Sequence, residues 1–303
     1  LLINPPDLPE TTANREGSAG LGALEAHKGG FRYPPHTLAA VAASLRVAGF
    51  EVTALDAAGQ HLPARCEPAQ SLQCLEEVSA ARPDLIGVCV SWATREADRC
   101  CLSLLRRAMP GIPLVAWGPG LCAAVLPHLC DDLASADYLL VGEPEGAFAP
   151  LCSHLLSAPA KLPRVVTPAL LGAPGYDAQG LLTDLDSLPY PAWDLLPTSY
   201  DFITVMSSRG CPATCRWCPY VVAQGRQFRA RSPQSVVDEL RELVQRYHPA
   251  RIVFRDPVFA HDRARVVALC ALILRDRVLS PGANLRWECE SRPDHLDPAL
   301  VRL

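Results

Sequence analysis

The run Leu85-Ile-Gly-Val-Cys-Val90 carries no polar side chain. A strand that is apolar on both faces needs cover on both, as a central strand has in a parallel sheet sandwiched between helices. The flanking sequence repeats that demand. Leu1–Asn4 is a short apolar run halted by Pro5-Pro6, and Glu51–Asp56, Pro113–Trp117 and Tyr138–Val141 read as further strands. Helical patterns alternate with them. Thr37–Ala48 sets Leu38, Val41, Leu45 and Ala48 on one face and stops at Gly49, and Asp98–Met109 is the next helix. The rhythm predicts an α/β fold that opens with a doubly wound parallel sheet of about five strands over residues 1–160.

Ligands on such a sheet bind beyond the carboxyl ends of the strands, near the point where strand order switches. The loops predicted there contain Ser91, Gly118, Gly120, Gly142 and Glu143. These are the candidate binding residues of the first half, with ordinary βα turns as the alternative. Neither GxGxxG nor GxxxxGK(S/T) occurs, so the dinucleotide and nucleoside-triphosphate readings lose their main support. Residues 161–200 change texture. They are rich in Pro, Gly and Leu without a sustained period, and are expected to be an ordered connector.

A second βα series fills residues 201–303. Phe202–Met206, Arg251–Phe254 and Asn284–Cys289 are its strands. Its helices are Ser235–Tyr247, opened by Ser232-Pro233, then Asp262–Arg275, and a third begun at Asp297-Pro298. Three such units cannot close a barrel, so either the sheet is open or, as the ending inside an apolar helix favours, the sequence is a fragment.

Composition removes several function classes. Lys and Arg number 28 against 32 Asp and Glu, a net charge of −4, so no basic excess exists to neutralise a nucleic-acid backbone. No apolar run is long enough for a membrane span, and no signal-peptide pattern is visible. Thirteen cysteines are an odd number in a chain far longer than disulfide-stapled domains. Thiols in a reducing, cytoplasmic compartment, some of them ligands, are the expectation.

The sharpest motif is Cys211-Pro-Ala-Thr-Cys215-Arg-Trp-Cys218, three thiols on one loop directly after a predicted strand. Thiolates suit soft iron, and short spacing lets one loop wrap a small cluster. Three ligands leave a fourth iron open to a substrate or cofactor. A zinc site or incidental cysteines are the alternatives. Structural zinc sites usually add a second CxxC or histidines, and no histidine lies within ten residues of this loop.

This spacing, with an aromatic residue before the third cysteine and Ser208-Arg209-Gly210 leading in, resembles the cluster loop of the radical S-adenosylmethionine (radical SAM) superfamily. Asn4-Pro5-Pro6, Tyr33-Pro34-Pro35, Gly49-Phe50-Glu51-Val52, Asp56 and Gly142-Glu143-Pro144-Glu145 resemble the Rossmann-like cobalamin-binding domain fused to many such enzymes. The DxHxxG signature of free-standing cobalamin domains is absent, since Asp56-Ala-Ala-Gly59 lacks its histidine.

The resemblance implies that residues 201–303 are the N-terminal part of a partial βα barrel, truncated at Leu303. It also implies a 4Fe–4S cluster on Cys211, Cys215 and Cys218, with S-adenosylmethionine and cobalamin as the other cofactors. Trp217, Asp256, Glu290 and Arg292 are the implied S-adenosylmethionine neighbours. Loop packing, a turn or cap carboxylate, and a surface salt bridge are the respective alternatives for Trp217, Asp256 and Arg292. Ser91, Gly118, Gly120, Gly142 and Glu143 become the cobalamin candidates, and His36 and His128 possible neighbours. The implied reaction is methyl transfer to an unactivated carbon, or phosphorus, of a small metabolite or peptide. Electrons would come from a flavodoxin or ferredoxin. Cyclisation, oxidation or sulfur insertion by the same radical chemistry, and a non-catalytic corrinoid-binding module, are the alternatives. Cys100, Cys101 and Cys270 read as core residues, and Asp238 and Glu239 as capping or solvated groups on their helix.

Overall fold

The structure is a computed structural model that describes residues 1–7, 11–17, 22–26, 32–60, 62, 72–157, 162–196, 200–216, 218–279 and 285–303. The chain divides into two compact units, Leu1–Thr183 with Leu188–Ser199, and Asp184–Ser187 with Tyr200–Leu303.

In the first unit β1 (Leu2–Asn4) is followed by an antiparallel hairpin of β2 (Thr11–Asn14) and β3 (Ala23–Ala26). Helix α1 (His36–Val47) then leads to β4 (Ala54–Asp56), α2 (Leu72–Ala81) to β5 (Ile86–Cys89), and α3 (Arg95–Ala108) to β6 (Leu114–Trp117). The short α4 (Leu126–Leu129) precedes β7 (Tyr138–Leu140), and α5 (Phe148–Ser157) precedes β8 (Val165–Val166). Six strands pair in parallel in the order β4-β1-β5-β6-β7-β8. The order reverses between β1 and β5, which makes that crevice the switch point.

Alternation along the strands divides the core between two faces. Ile3, Ile86, Val88, Leu114, Ala116 and Leu139 pack with Val78 of α2 and Leu102 and Leu105 of α3. On the other face Trp117 meets Phe148 of α5 edge to face, with ring centres 5.6 Å apart. Each such fully buried side chain contributes about 1.5–3 kcal/mol. Both faces are covered, as the apolar run at β5 demanded.

Three features differ from the sequence expectation. The hairpin β2–β3 was not anticipated. A sixth strand, β8, extends the sheet from within the stretch expected to be a connector, because two residues are too few to display a period. The later part of that stretch packs on α1: Ala192 N donates to Ala39 O at 2.9 Å, and Trp193 stacks edge to face on His36.

The second unit begins with β9 (Ile203–Val205) and a two-stranded ribbon of β10 (Ser208–Arg209) and β11 (Arg229–Ala230), with α6 (Tyr220–Ala223) between them. Then follow α7 (Pro233–Tyr247), β12 (Arg251–Phe254), α8 (Arg263–Arg275), β13 (Arg286–Glu288) and α9 (Pro298–Val301). The sheet is parallel in the order β13-β12-β9, so each βα unit adds a strand beside the last. The openings read at Ser232-Pro233 and Asp297-Pro298 cap their helices, and Asp262 caps the one between. Ser232 Oγ accepts from Ser235 N, Asp262 from Arg265 N, and Asp297 from Ala299 N and Leu300 N. Among the described residues no helix is long and apolar enough to cross a membrane.

Candidate functional site

The carboxyl ends of β9, β12 and β13 gather most of the chemistry-bearing residues of the second unit. The cysteine loop leaves β10 and returns at β11. Gly210 turns it at φ +77°, a conformation that disfavours a side chain, and a Cβ there would lie 2.0 Å from Gln227 O. Cys211 N donates to Gly225 O at 3.1 Å, and Arg226 Nη1 to Ala213 O at 2.7 Å, so the loop is closed at its base and braced along its side. The loops after β12 and β13 are tied to each other through Phe259 N to Glu290 O (3.0 Å) and Ala260 N to Ser291 Oγ (3.1 Å).

Cys211 is buried, and Cys215 and Cys218 are half-buried. Cys211 lines an open cleft of about 260 Å³ with Thr214, His261, Arg292, Asp294 and His295. Among the described residues no three Cys, His, Asp or Glu side chains meet around a point that would hold one metal ion. A cluster places each thiolate on a different iron and asks for thiols spread round a loop, which is the donor set present here. The three cysteines therefore fit an iron–sulfur cluster.

The implied S-adenosylmethionine neighbours separate. Arg292 sits at the cleft, with Nη1 3.9 Å from Cys215 Sγ and its other nitrogens on Asp294 at 2.8 and 2.9 Å. Glu290 is exposed at the end of β13. Trp217 lies outside the described residues. Asp256 requires a correction. It is 1 % exposed, and its carboxylate accepts from Ser207 N at 2.8 Å, Ser207 Oγ at 2.6 Å and Ser208 Oγ at 2.6 Å. A carboxylate so enclosed does not face a ligand. Burial pushes its carboxyl above the ordinary range, against the pull of those hydrogen bonds.

Glu239 is the second correction. It neither caps nor solvates its helix but is fully buried and paired with Arg231. Arg231 and Arg265 both reach the β9 loop: Arg231 N and Arg265 Nη2 donate to Ser207 O at 3.0 and 2.9 Å.

In the first unit the strand ends are crossed by a continuous buried network. Asn4 Nδ2 donates to Asp56 Oδ1 at 2.6 Å. Arg15, from the hairpin, donates to Pro5 O at 2.9 Å and Asn4 Oδ1 at 3.3 Å, and holds Asp98 through Nη2 at 2.8 Å. Asp98 also accepts from Ser91 N and Thr94 Oγ1, at 2.9 and 2.6 Å. Arg15 thus fills the floor of the switch-point crevice between β1 and β5.

Ser91 belongs to this network, while Gly118 and Gly120 form the turn after β6, accepting from Leu121 N and Cys122 N. Trp92 stands exposed on the same edge, with the Arg95 guanidinium 4.8 Å from its ring centre and His128 edge-on at 5.9 Å. Gly142 and Glu143 serve another purpose. The Glu143 carboxylate is buried and accepts from Leu182 N at 2.7 Å, Glu143 N donates to Gly180 O at 2.9 Å, and a side chain at Gly142 would collide with Gly180 O. They fasten residues 176–182 to the unit. Sequence reasoning missed Arg15 and Asp98. A signal existed for Asp98: it shares a helical face with Cys101, Leu102 and Leu105, and a carboxylate on an apolar face needs a buried partner.

The chain matches no established protein-family profile. An uncharacterised methyltransferase of Pyrococcus horikoshii is 30 % identical over 128 residues, 40 % of this chain and 27 % of that protein. The anaerobic magnesium-protoporphyrin IX monomethyl ester cyclase of Rubrivivax gelatinosus is 25 % identical over 294 residues, 90 % of this chain and 51 % of that one. Among solved structures the radical S-adenosylmethionine methyltransferase TsrM of Kitasatospora setae superposes with a TM-score of 0.69 at 20 % identity, over 99 % of this chain and 56 % of its own. A second structure of TsrM, holding cobalamin and a 4Fe–4S cluster, superposes with the same score. The chain therefore spans only about a quarter to just over a half of each of these proteins. The shared fold is that of TsrM along the whole chain, and the resemblance drawn from the motifs is borne out at that level.

Proposed function

We propose that this chain is the cobalamin-binding domain and the first part of the radical domain of a cobalamin-dependent radical SAM methyltransferase. The observation that carries the reading is the loop of Cys211, Cys215 and Cys218 at the carboxyl end of the first strand of a parallel βα series, preceded by a doubly wound unit. When bound, the cluster with S-adenosylmethionine supplies a carbon radical, and cobalamin supplies a transferable methyl group.

The residues of this chain do the holding. Cys211, Cys215 and Cys218 ligate the cluster. Arg292, already beside Cys215, binds the carboxylate of S-adenosylmethionine once it trades Asp294 for that partner. Cobalamin lies over the loops of Ser91, Gly118 and Gly120, where the buried network below them fixes the backbone and Trp92 offers an exposed ring. Glu143 acts at one remove, by closing the edge of that unit. A small molecule or peptide is the acceptor, a flavodoxin or ferredoxin brings the electron, and the cytoplasm is the compartment.

Anaerobic reconstitution of the intact protein with iron and sulfide tests the cluster. The wild type should hold one cluster by iron analysis and electron paramagnetic resonance, and the triple Cys→Ala variant none. Deuterated S-adenosylmethionine tests the reaction: a CD₃ group should appear in the product beside 5′-deoxyadenosine. A second reading, radical-driven ring closure, is favoured by the similarity to the Rubrivivax cyclase across most of the chain. It predicts 5′-deoxyadenosine with no label in the product.

A further inference from the structure

We infer that Asp256 is a positioning residue for the cysteine loop and acts on it through Ser207. This deepens the proposed function and rests on its assignment of the cluster to Cys211, Cys215 and Cys218.

Ser207 has every polar group engaged. Its N–H and hydroxyl both go to the Asp256 carboxylate, at 2.8 and 2.6 Å. Its carbonyl accepts from Arg265 Nη2 and Arg231 N, at 2.9 and 3.0 Å. Ser208 adds its own hydroxyl to Asp256 at 2.6 Å. The side chains of this clamp come from the end of β12 and from α8, so the second βα unit grips the loop that leaves the first. Ser207, Ser208 and Asp256 are at most 1 % exposed.

Four residues beyond Ser207 the chain reaches Cys211. The intervening Gly210 sits in its turn against Gln227 O, and Cys211 N is bonded to Gly225 O, so the segment has little room to absorb a shift at Ser207. Hydrogen bonds to an ionised carboxylate are among the strong ones and fix direction as well as distance. Losing them releases the start of the loop while β9, three residues of sheet upstream, stays paired.

The test uses the intact protein as wild type, Asp256→Asn, Ser208→Ala and, as a control of ordinary core destabilisation, Leu243→Ala on the buried face of α7. Two readouts are taken. The first is the alkylation rate of Cys211 in cluster-free protein, read by mass spectrometry. The second is the paramagnetic resonance signal of the reduced cluster and its rate of loss to a chelator. Asp256→Asn should speed Cys211 alkylation and cluster loss about tenfold, the scale of losing hydrogen bonds to a charged group. It should also alter the cluster signal. Ser208→Ala should move the same readouts in the same direction by less, and it decides the question if Asp256→Asn does not fold. Leu243→Ala should leave the cluster signal unchanged. Unchanged alkylation and an unchanged signal in folded Asp256→Asn would overturn the inference, as would a signal change in Leu243→Ala equal to that in Asp256→Asn. A wild type that takes up no cluster sinks the proposed function instead, and the alkylation arm still judges the clamp.

Discussion

The carboxyl-end edges of the two sheets spend their polar side chains differently. In the first unit Asn4, Asp56, Arg15, Asp98, Thr94 and Ser91 are buried and bonded to one another, so the edge is a floor rather than a reactive surface. In the second unit a buried carboxylate, Asp256, is spent on the backbone and hydroxyl of Ser207 and the hydroxyl of Ser208, but the loop that follows them carries Cys211, which lines an open cleft with Arg292 and two histidines. In the proposed function the first edge would support a bound group from beneath and the second would hold ligating atoms out toward one. The difference lies in what the buried charge is bonded to, not in the sheet architecture, which is parallel βα in both.

The contrast can be broken at Asp98. Asp98→Ala removes the close ion partner of the buried Arg15 guanidinium and leaves it only Asp7 at 4.0 Å, which should cost about 3–5 kcal/mol, measured by chemical denaturation with hydrogen exchange at β1 and β5. A loss under about 1 kcal/mol would mean the floor is not held by that pair. Next is Gly210→Ala, where the left-handed backbone and the approach of Gln227 O should cost about 1–3 kcal/mol and depress iron uptake. Normal iron content in that variant would show that the loop's turn is not what presents the thiols.

Arg292→Ala should separate stability from function. Its ion pair with Asp294 is on the surface and screened by solvent, so the denaturation midpoint should stay where it is in the wild type. S-adenosylmethionine binding to the reconstituted protein, followed by calorimetry, should weaken markedly. Equal binding would remove Arg292 from the site.

The smallest effect sharpens the contrast between thiols. Burial pushes Cys74 up to about 11 and Cys152 up to about 12, so both should resist iodoacetamide at pH 8 while Cys215 reacts. Because an unfolded chain ionises its thiols near 9, these two groups contribute a stability loss that grows as pH rises from about 9 toward 12. Rapid alkylation of Cys152 at pH 8 would contradict its burial.

Much of the fold was legible. The β12 boundaries, Arg251–Phe254, coincide with the expected strand, α7 starts at the opening read from Ser232-Pro233, and α8 spans Arg263–Arg275 against an expected Asp262–Arg275. The cysteine triplet was legible because its spacing is local. Asp256 and Glu239 were misread because their partners, Ser207 and Arg231, lie 49 and 8 residues away and only folding brings them together. Glu239 did carry a sign of burial: it shares its helix face with Val236, Leu240 and Leu243.

Short-range order was thus determined by the sequence alone. Short apolar runs marked most of the parallel strands, capping side chains marked helix starts, and three cysteines within eight residues marked a candidate cluster loop, since each depends on neighbours a few positions apart. Tertiary structure alone decided the strand order, the placing of Arg15 in the switch-point crevice and the use of Asp256 as a clamp on Ser207. Those depend on which distant polar groups must share a buried space, and a buried charge takes its role from the partner it finds there.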